Sequence, residues 1–132
     1  ESMTGGYEAA DIVEETLLRL YESAATLINC DPLDIAIVEN ATRAWDMAFY
    51  AFKFQPGDRI LTAQSEYASN YLAYLQVARH TGVIIEAVPS DTEGQISINH
   101  LDNMIDKRVK LISAPHVPTN SGLVNPATEH QK

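Results

Sequence analysis

Three short stretches carry the residue types that could hold or transform a ligand. The first is Glu39-Asn40-Ala41-Thr42-Arg43-Ala44, small and hydroxyl residues at the start of a predicted helix. The N–H groups of a helix's first turn have no partner inside it, and with the dipole they make a seat for an anion such as phosphate. Thr42 can add a hydroxyl donor. The plainer use of the same residues is helix capping by Asn40 or Thr42. Without a glycine, the stretch is neither a Walker A loop nor a dinucleotide fingerprint. The second stretch is Gln64-Ser65-Glu66-Tyr67-Ala68-Ser69-Asn70, where Tyr67 could cover a flat heterocycle or pack on the helix that follows. The third runs from Pro115 to Pro126, with internal Pro118 and Gly122 that specify a rigid path. There Asn120 can donate to an oxygen on a bound ring, and Thr119 can donate or accept.

Other reactive residues are sparse. His116 lies in the third loop, while His80, His100 and His130 have no metal-ligand spacing between them. A lone loop histidine serves as a structural hydrogen-bonder or as a catalyst, and no metal site is expected. The single cysteine, Cys30, cannot form an internal disulfide, which fits a reducing, cytoplasmic setting.

The elements that position these loops follow from periodicity. Apolar spacing predicts a helix over 8–28, ended by Asp31-Pro32. The apolar run 34–38 reads as a strand buried on both faces. A helix over 42–54 follows, closed by Gln55-Pro56-Gly57-Asp58, then a strand over 59–63 and a helix over 69–80. A strand over 83–88, a short helix over 97–106 capped by Ser97 or Asn99, and a strand over 109–114 complete the alternation. Pro126 is read as the first residue of a further helix. Strands alternating with helices imply right-handed crossovers and an α/β fold, a mainly parallel sheet with helices on both faces. All three loops then lie beyond carboxyl ends of strands, where such sheets collect ligands.

Composition narrows the class. The 132 residues carry 18 acidic and 9 basic side chains, a net charge of −9, so no broad basic face is available for nucleic acid. The 45% hydrophobic content is that of a globular domain, and no repeat or internal linker divides it. No run approaches the ~18 apolar residues of a membrane span, and no signal-peptide pattern opens the chain. The expected partners are a small molecule and other copies of the chain, not nucleic acid or membrane.

Together and in order, Asn40-Ala41-Thr42-Arg43-Ala44-Trp45, Glu66-Tyr67-Ala68-Ser69-Asn70 and the 116–126 stretch resemble the class V aminotransferase family. These are pyridoxal 5′-phosphate (PLP) enzymes of fold type I, among them cysteine desulfurases, selenocysteine lyases and isopenicillin-N-epimerase-like proteins. The Gly5-Gly6-Tyr7-Glu8-Ala9 opening is similar to the last group. The resemblance implies an enzyme acting on an amino acid by transamination, epimerisation, or carbon–sulfur or carbon–selenium lysis, and a homodimer. It places Ala41 and Thr42 at the phosphate-binding turn. It places Tyr67 where desulfurases carry a ring-stacking histidine; a tyrosine stacks but does not shuttle protons near neutral pH. Desulfurases reach the ring hydroxyl with an asparagine three residues after the loop histidine. That spacing gives Thr119 here, with Asn120 next and preferred.

The resemblance also implies that the aspartate pairing with the cofactor's ring nitrogen, and the Schiff-base lysine, lie beyond residue 132. Lys53, Lys107, Lys110 and Lys132 have none of the expected setting. Residues 1–132 therefore read as the N-terminal portion of a PLP-binding large domain, inactive alone, with no catalytic residue of its own. A non-catalytic module that binds a phosphorylated ligand on the same half-fold is the alternative. Strands severed from their neighbours become edges, so the isolated chain is expected to self-associate.

Overall fold

The structure is a computed structural model that describes residues 5–127. It comprises two compact units, Glu1–Glu39 and Asn40–Lys132.

In the first unit, helix α1 spans Gly6–Ile28. It stops because Asn29 takes the left-handed conformation at φ 56°, its N–H turning back to Ala25 and Thr26 carbonyls. Asparagine is one of the few residues that tolerate this geometry. The Asp31 carboxylate then accepts the Leu33 N–H at 2.9 Å and winds Pro32–Asp34 into a single 3₁₀ turn. The strand expected over 34–38 does not form. Asp34 is consumed by that turn, and Ile37, expected to be buried on both faces, is 52% exposed. An apolar run becomes a strand only where another strand takes its backbone groups, and none does so among the described residues.

The second unit opens with α2, Ala41–Tyr50, followed by β1, Arg59–Ala63, and α3, Ala68–Thr81. Then come β2, Ile84–Val88, α4, Ile98–Met104, and β3, Val109–Ser113. All three strands are parallel in the order β2-β1-β3, so this unit is α/β with β1 central. Among the described residues the sheet has three strands where the sequence suggested four.

Helix α2 ends four residues before the expected Phe54. The Asp58 side chain accepts the Gln55 N–H at 2.8 Å and Gly57 sits at φ 86°, so a turn begins there. Released from the helix, Phe54 becomes a core residue, 7% exposed.

Alternation along β1 assigns its two faces. Ile60 packs with Phe49 and Phe54 near the end of α2 and with Ala73 and Tyr74 of α3. Leu61 and Ala63 pack with Val88, Ile96 and Leu101 of α4. Helices thus cover both faces, and all five β1 residues are buried.

Arg59 shares the α4 face. Its guanidinium pairs with Glu86, donates to the Met104 carbonyl at 2.7 Å and lies 3.2 Å from Asp106. It caps the carboxyl end of α4, and the chain therefore leaves the helix at Met104 rather than at the expected Asp106. The backbone N–H of Arg108, and then its guanidinium, hold the Asp106 carboxyl below its ordinary value. A carboxyl whose folded pKa is depressed stabilises the fold above its unfolded value, near 3.9, and loses that contribution as pH falls through the folded one. Asp106→Asn is therefore expected to flatten the acid limb of stability below about pH 4. Arg59→Met is expected to lower the melting temperature by about 4–8 °C at neutral pH. Thermal melts of the two variants between acid and neutral pH check both.

Candidate functional site

The strand order creates a place for a ligand. From β1 the chain crosses through α3 to β2 on one side, then returns through α4 to β3 on the other side of β1. The loops leaving the neighbouring strands β1 and β3 share a crevice at the carboxyl ends. This is the topological switch point where open α/β sheets bind ligands. A hollow of about 150 Å³ occupies it, lined by Ser65, Glu66, Tyr67 and Ala68 after β1 and by Pro115, Pro118, Thr119 and Asn120 after β3.

Of the residues singled out by the sequence, Tyr67, Thr119 and Asn120 meet at this hollow, though they stand some fifty positions apart in the chain. The Tyr67 ring is 54% exposed, so it is not spent on the core. Ala41 and Thr42 open α2 and do not line the hollow. Asn40 caps that helix: its side chain accepts the Arg43 N–H at 2.8 Å, and its carbonyl accepts the Ala44 N–H at 3.1 Å. The N–H groups of Ala41 and Thr42, in the first turn, have no acceptor within the helix itself.

The histidines play other parts. His116 is exposed, and its carbonyl accepts the Asn125 N–H at 2.7 Å. His80 and His100 bond to their own helices, at Gln76 and Ser97. Among the described residues no group of three or more His, Cys, Asp or Glu could hold a metal, and no helix is long and apolar enough to cross a membrane. Lys107 and Lys110 sit around the start of β3, the opposite end of the sheet from the hollow, and Lys53 lies between α2 and β1.

Two residues given no role of their own in the sequence hold the site's walls. The Glu66 carboxylate accepts from Thr62 Oγ1 at 3.0 Å, the Tyr67 N–H at 2.8 Å, Asn70 Nδ2 at 3.1 Å and Tyr74 Oη at 2.9 Å. It ties the end of β1 to the first two turns of α3 and so sets where Tyr67 projects. Tyr74 is fully buried, and that burial pushes its hydroxyl far above its usual pKa. Its one proton serves the carboxylate, leaving the Ser113 hydroxyl, 2.7 Å away, to donate to the phenol oxygen. A single chain of hydrogen bonds thus joins β3, α3 and the hollow's floor.

Asn125, 5% exposed, similarly closes the loop after β3. The only prior signals were a carboxylate four residues before an asparagine, and an asparagine beside a proline.

The family model described as aminotransferase class-V matches residues 3–132. A protein of Synechocystis named as a probable cysteine desulfurase is 30% identical over 109 residues, covering 80% of this chain and 26% of that relative. The apo structure of a cysteine desulfurase from Thermococcus onnurineus superposes with a TM-score of 0.82 at 21% identity, covering 95% of this chain and 32% of the other. A mutant of C-DES with glycine covalently linked to its PLP cofactor gives 0.78 at 22% identity, covering 92% and 32%. At such identities the structural likeness speaks for the fold. The chain spans between about a quarter and a third of the length of these proteins.

Proposed function

Because this chain belongs to the class V aminotransferase family, we propose that residues 1–132 are the N-terminal portion of the PLP-binding large domain of an enzyme acting on an amino acid. The observation that carries this reading is the convergence of Tyr67, Thr119 and Asn120 on one hollow at the switch point of the sheet.

The residues fit the group. An apolar cavity of about 150 Å³ accepts a benzene-sized ring, and the hollow is of that order. An exposed aromatic face and an amide donor stand at its walls, as a flat ring bearing a hydroxyl requires. The first-turn N–H groups of Ala41 and Thr42, which have no acceptor within their helix, suit a phosphate together with the Thr42 hydroxyl.

When bound, PLP supplies an electron sink for negative charge at an amino acid's α-carbon. The chain's own residues hold and orient it. Ala41 and Thr42 take the phosphate, Tyr67 covers one ring face, and Asn120, with Thr119 beside it, donates to the ring oxygen. Tyr67 excludes water from that face. The lysine that carries the cofactor and the aspartate beneath its ring nitrogen come from residues outside 1–132, so this portion alone is inactive. The reaction is transamination, epimerisation or carbon–sulfur or carbon–selenium lysis. The full-length protein works as a homodimer, and the single cysteine within residues 1–132 fits a reducing, cytoplasmic setting.

The test is a PLP titration of the full-length protein, followed by borohydride reduction and peptide mapping. The expected label is on a lysine outside 1–132. Tyr67→Ala and Asn120→Ala are each expected to weaken PLP binding by about 3–10-fold, the worth of one stacking contact or one hydrogen bond. PLP binding without a labelled lysine would favour the non-catalytic module. Affinity indifferent to both substitutions would remove the site.

A further inference from the structure

The loop after β3 is long, exposed and without regular structure, yet it must present Thr119 and Asn120 at a fixed place. Packing does little of this work. Of residues 116–124, Pro118 is buried and Leu123 is partly buried, while Val117 and Val124 are 58% and 53% exposed. The loop is held instead at its two ends, by one residue.

Three hydrogen bonds of Asn125 close and anchor the loop. The residue's backbone N–H donates to the His116 carbonyl at 2.7 Å, and its Nδ2 donates to the Pro115 carbonyl at 2.6 Å. These draw the end of the loop against its beginning. The third bond fastens the closed loop to the domain, since Asn125 Oδ1 accepts the Ile96 N–H at 2.9 Å. Both ends of the amide are thus used inside a site that is 5% exposed.

The anchor is itself rigid. Asp91 Oδ1 accepts the N–H groups of Glu93 and Gln95 at 2.9 and 3.0 Å, and Ser90 bridges Ile96 in antiparallel fashion. A Cβ on Gly94, at φ 86°, would stand 3.0 Å from Leu123 Cδ1, so the loop rests directly on this turn. The polar stretch between β2 and α4 is therefore a buttress for the loop.

We propose that Asn125 is a positioning residue that clasps this loop and so fixes Pro118, Thr119 and Asn120 at the hollow. The proposal rests on the reading of the hollow as the site of the PLP ring. Asn125 touches neither ring nor phosphate. Its influence falls on the ring side alone, since the phosphate seat is on α2.

Asn125→Asp is the sharpest variant. It keeps an oxygen for the Ile96 N–H and sets an oxygen in place of Nδ2 against the Pro115 carbonyl. In the full-length protein two ligands are titrated, PLP and inorganic phosphate, and amide hydrogen exchange is followed without ligand. The expected result is PLP affinity about tenfold weaker with phosphate affinity unchanged. Amides of the 117–124 loop should exchange about tenfold faster while those of β1 stay protected. Equal weakening of both ligands, or loss of protection in β1, would show a merely structural residue and overturn the proposal. Unchanged PLP affinity would overturn it as well. Should the aspartate variant fail to fold, Asn125→Ser is judged on the same readouts. If the wild-type protein binds no PLP, the proposed function falls, and the contrast in exchange between loop and β1 alone decides the clasp.

Discussion

Tyr74→Ala is expected to destabilise the protein by about 3–5 kcal/mol, the largest effect of any single change considered. Tyr74 is fully buried and touches most of the aromatic core: Phe49 at 5.3 Å between centroids, Trp45 at 5.5 Å and Tyr71 at 6.1 Å. Removing the ring opens a cavity between α2, α3 and β1 that rigid neighbours cannot close. Tyr74→Phe separates packing from hydrogen bonding. It keeps the ring but strands the Glu66 carboxylate and the Ser113 hydroxyl, at a cost of about 1–3 kcal/mol. Chemical denaturation of both variants checks this, and a phenylalanine variant as damaged as the alanine one would contradict it.

Glu66→Ala is expected to cost about 2–4 kcal/mol, although the residue is only half-buried. The reason lies in its partners. Thr62 and Tyr74 are both fully buried, and each loses its acceptor when the carboxylate goes. The Tyr67 N–H and the Asn70 amide can turn to water, so they add less. In a double-mutant cycle with Tyr74→Phe, the pair is expected to couple by about 1–2 kcal/mol, because both substitutions break the same bond. Additive losses would show that the carboxylate and the phenol act independently. Loss of Glu66 also frees Tyr67 from the end of β1, so weakened PLP binding is expected in the same variant.

Much of the second unit was legible because its elements announce themselves locally. The strands at 59–63 and 109–113 are short apolar runs between turn residues, and Gly82 ends α3 in the left-handed conformation that a glycine adopts freely. The run 34–38 failed for a complementary reason. Its composition is that of a buried strand, but pairing is a property of neighbours, and the Asp31-Pro32 pair draws its first residue into a turn. Arg59 shows the same limit in a helix. The end of α4 depends on a guanidinium 45 residues away in the chain, which no local pattern reveals.

The site divides in the same way. Tyr67 and Asn120 could be named because an exposed aromatic and a free amide in loops at strand ends carry their chemistry on their own. Their meeting required the β2-β1-β3 order, which alternation alone does not dictate. Glu66 and Asn125 were given no role because their importance lies wholly in what they accept from and donate to. A carboxylate in a turn and an asparagine before a proline are ordinary residues until their partners are seen.

In the proposed function, the cofactor ring sits in the hollow between the loops after β1 and β3. A crystal structure of the full-length protein with PLP bound tests this most directly. The predicted result is the ring against the Tyr67 face at about 3.5–4.0 Å, with Asn120 within about 2.7–3.2 Å of the ring oxygen. A ring lodged elsewhere, with Tyr67 and Asn120 both out of contact, would contradict it.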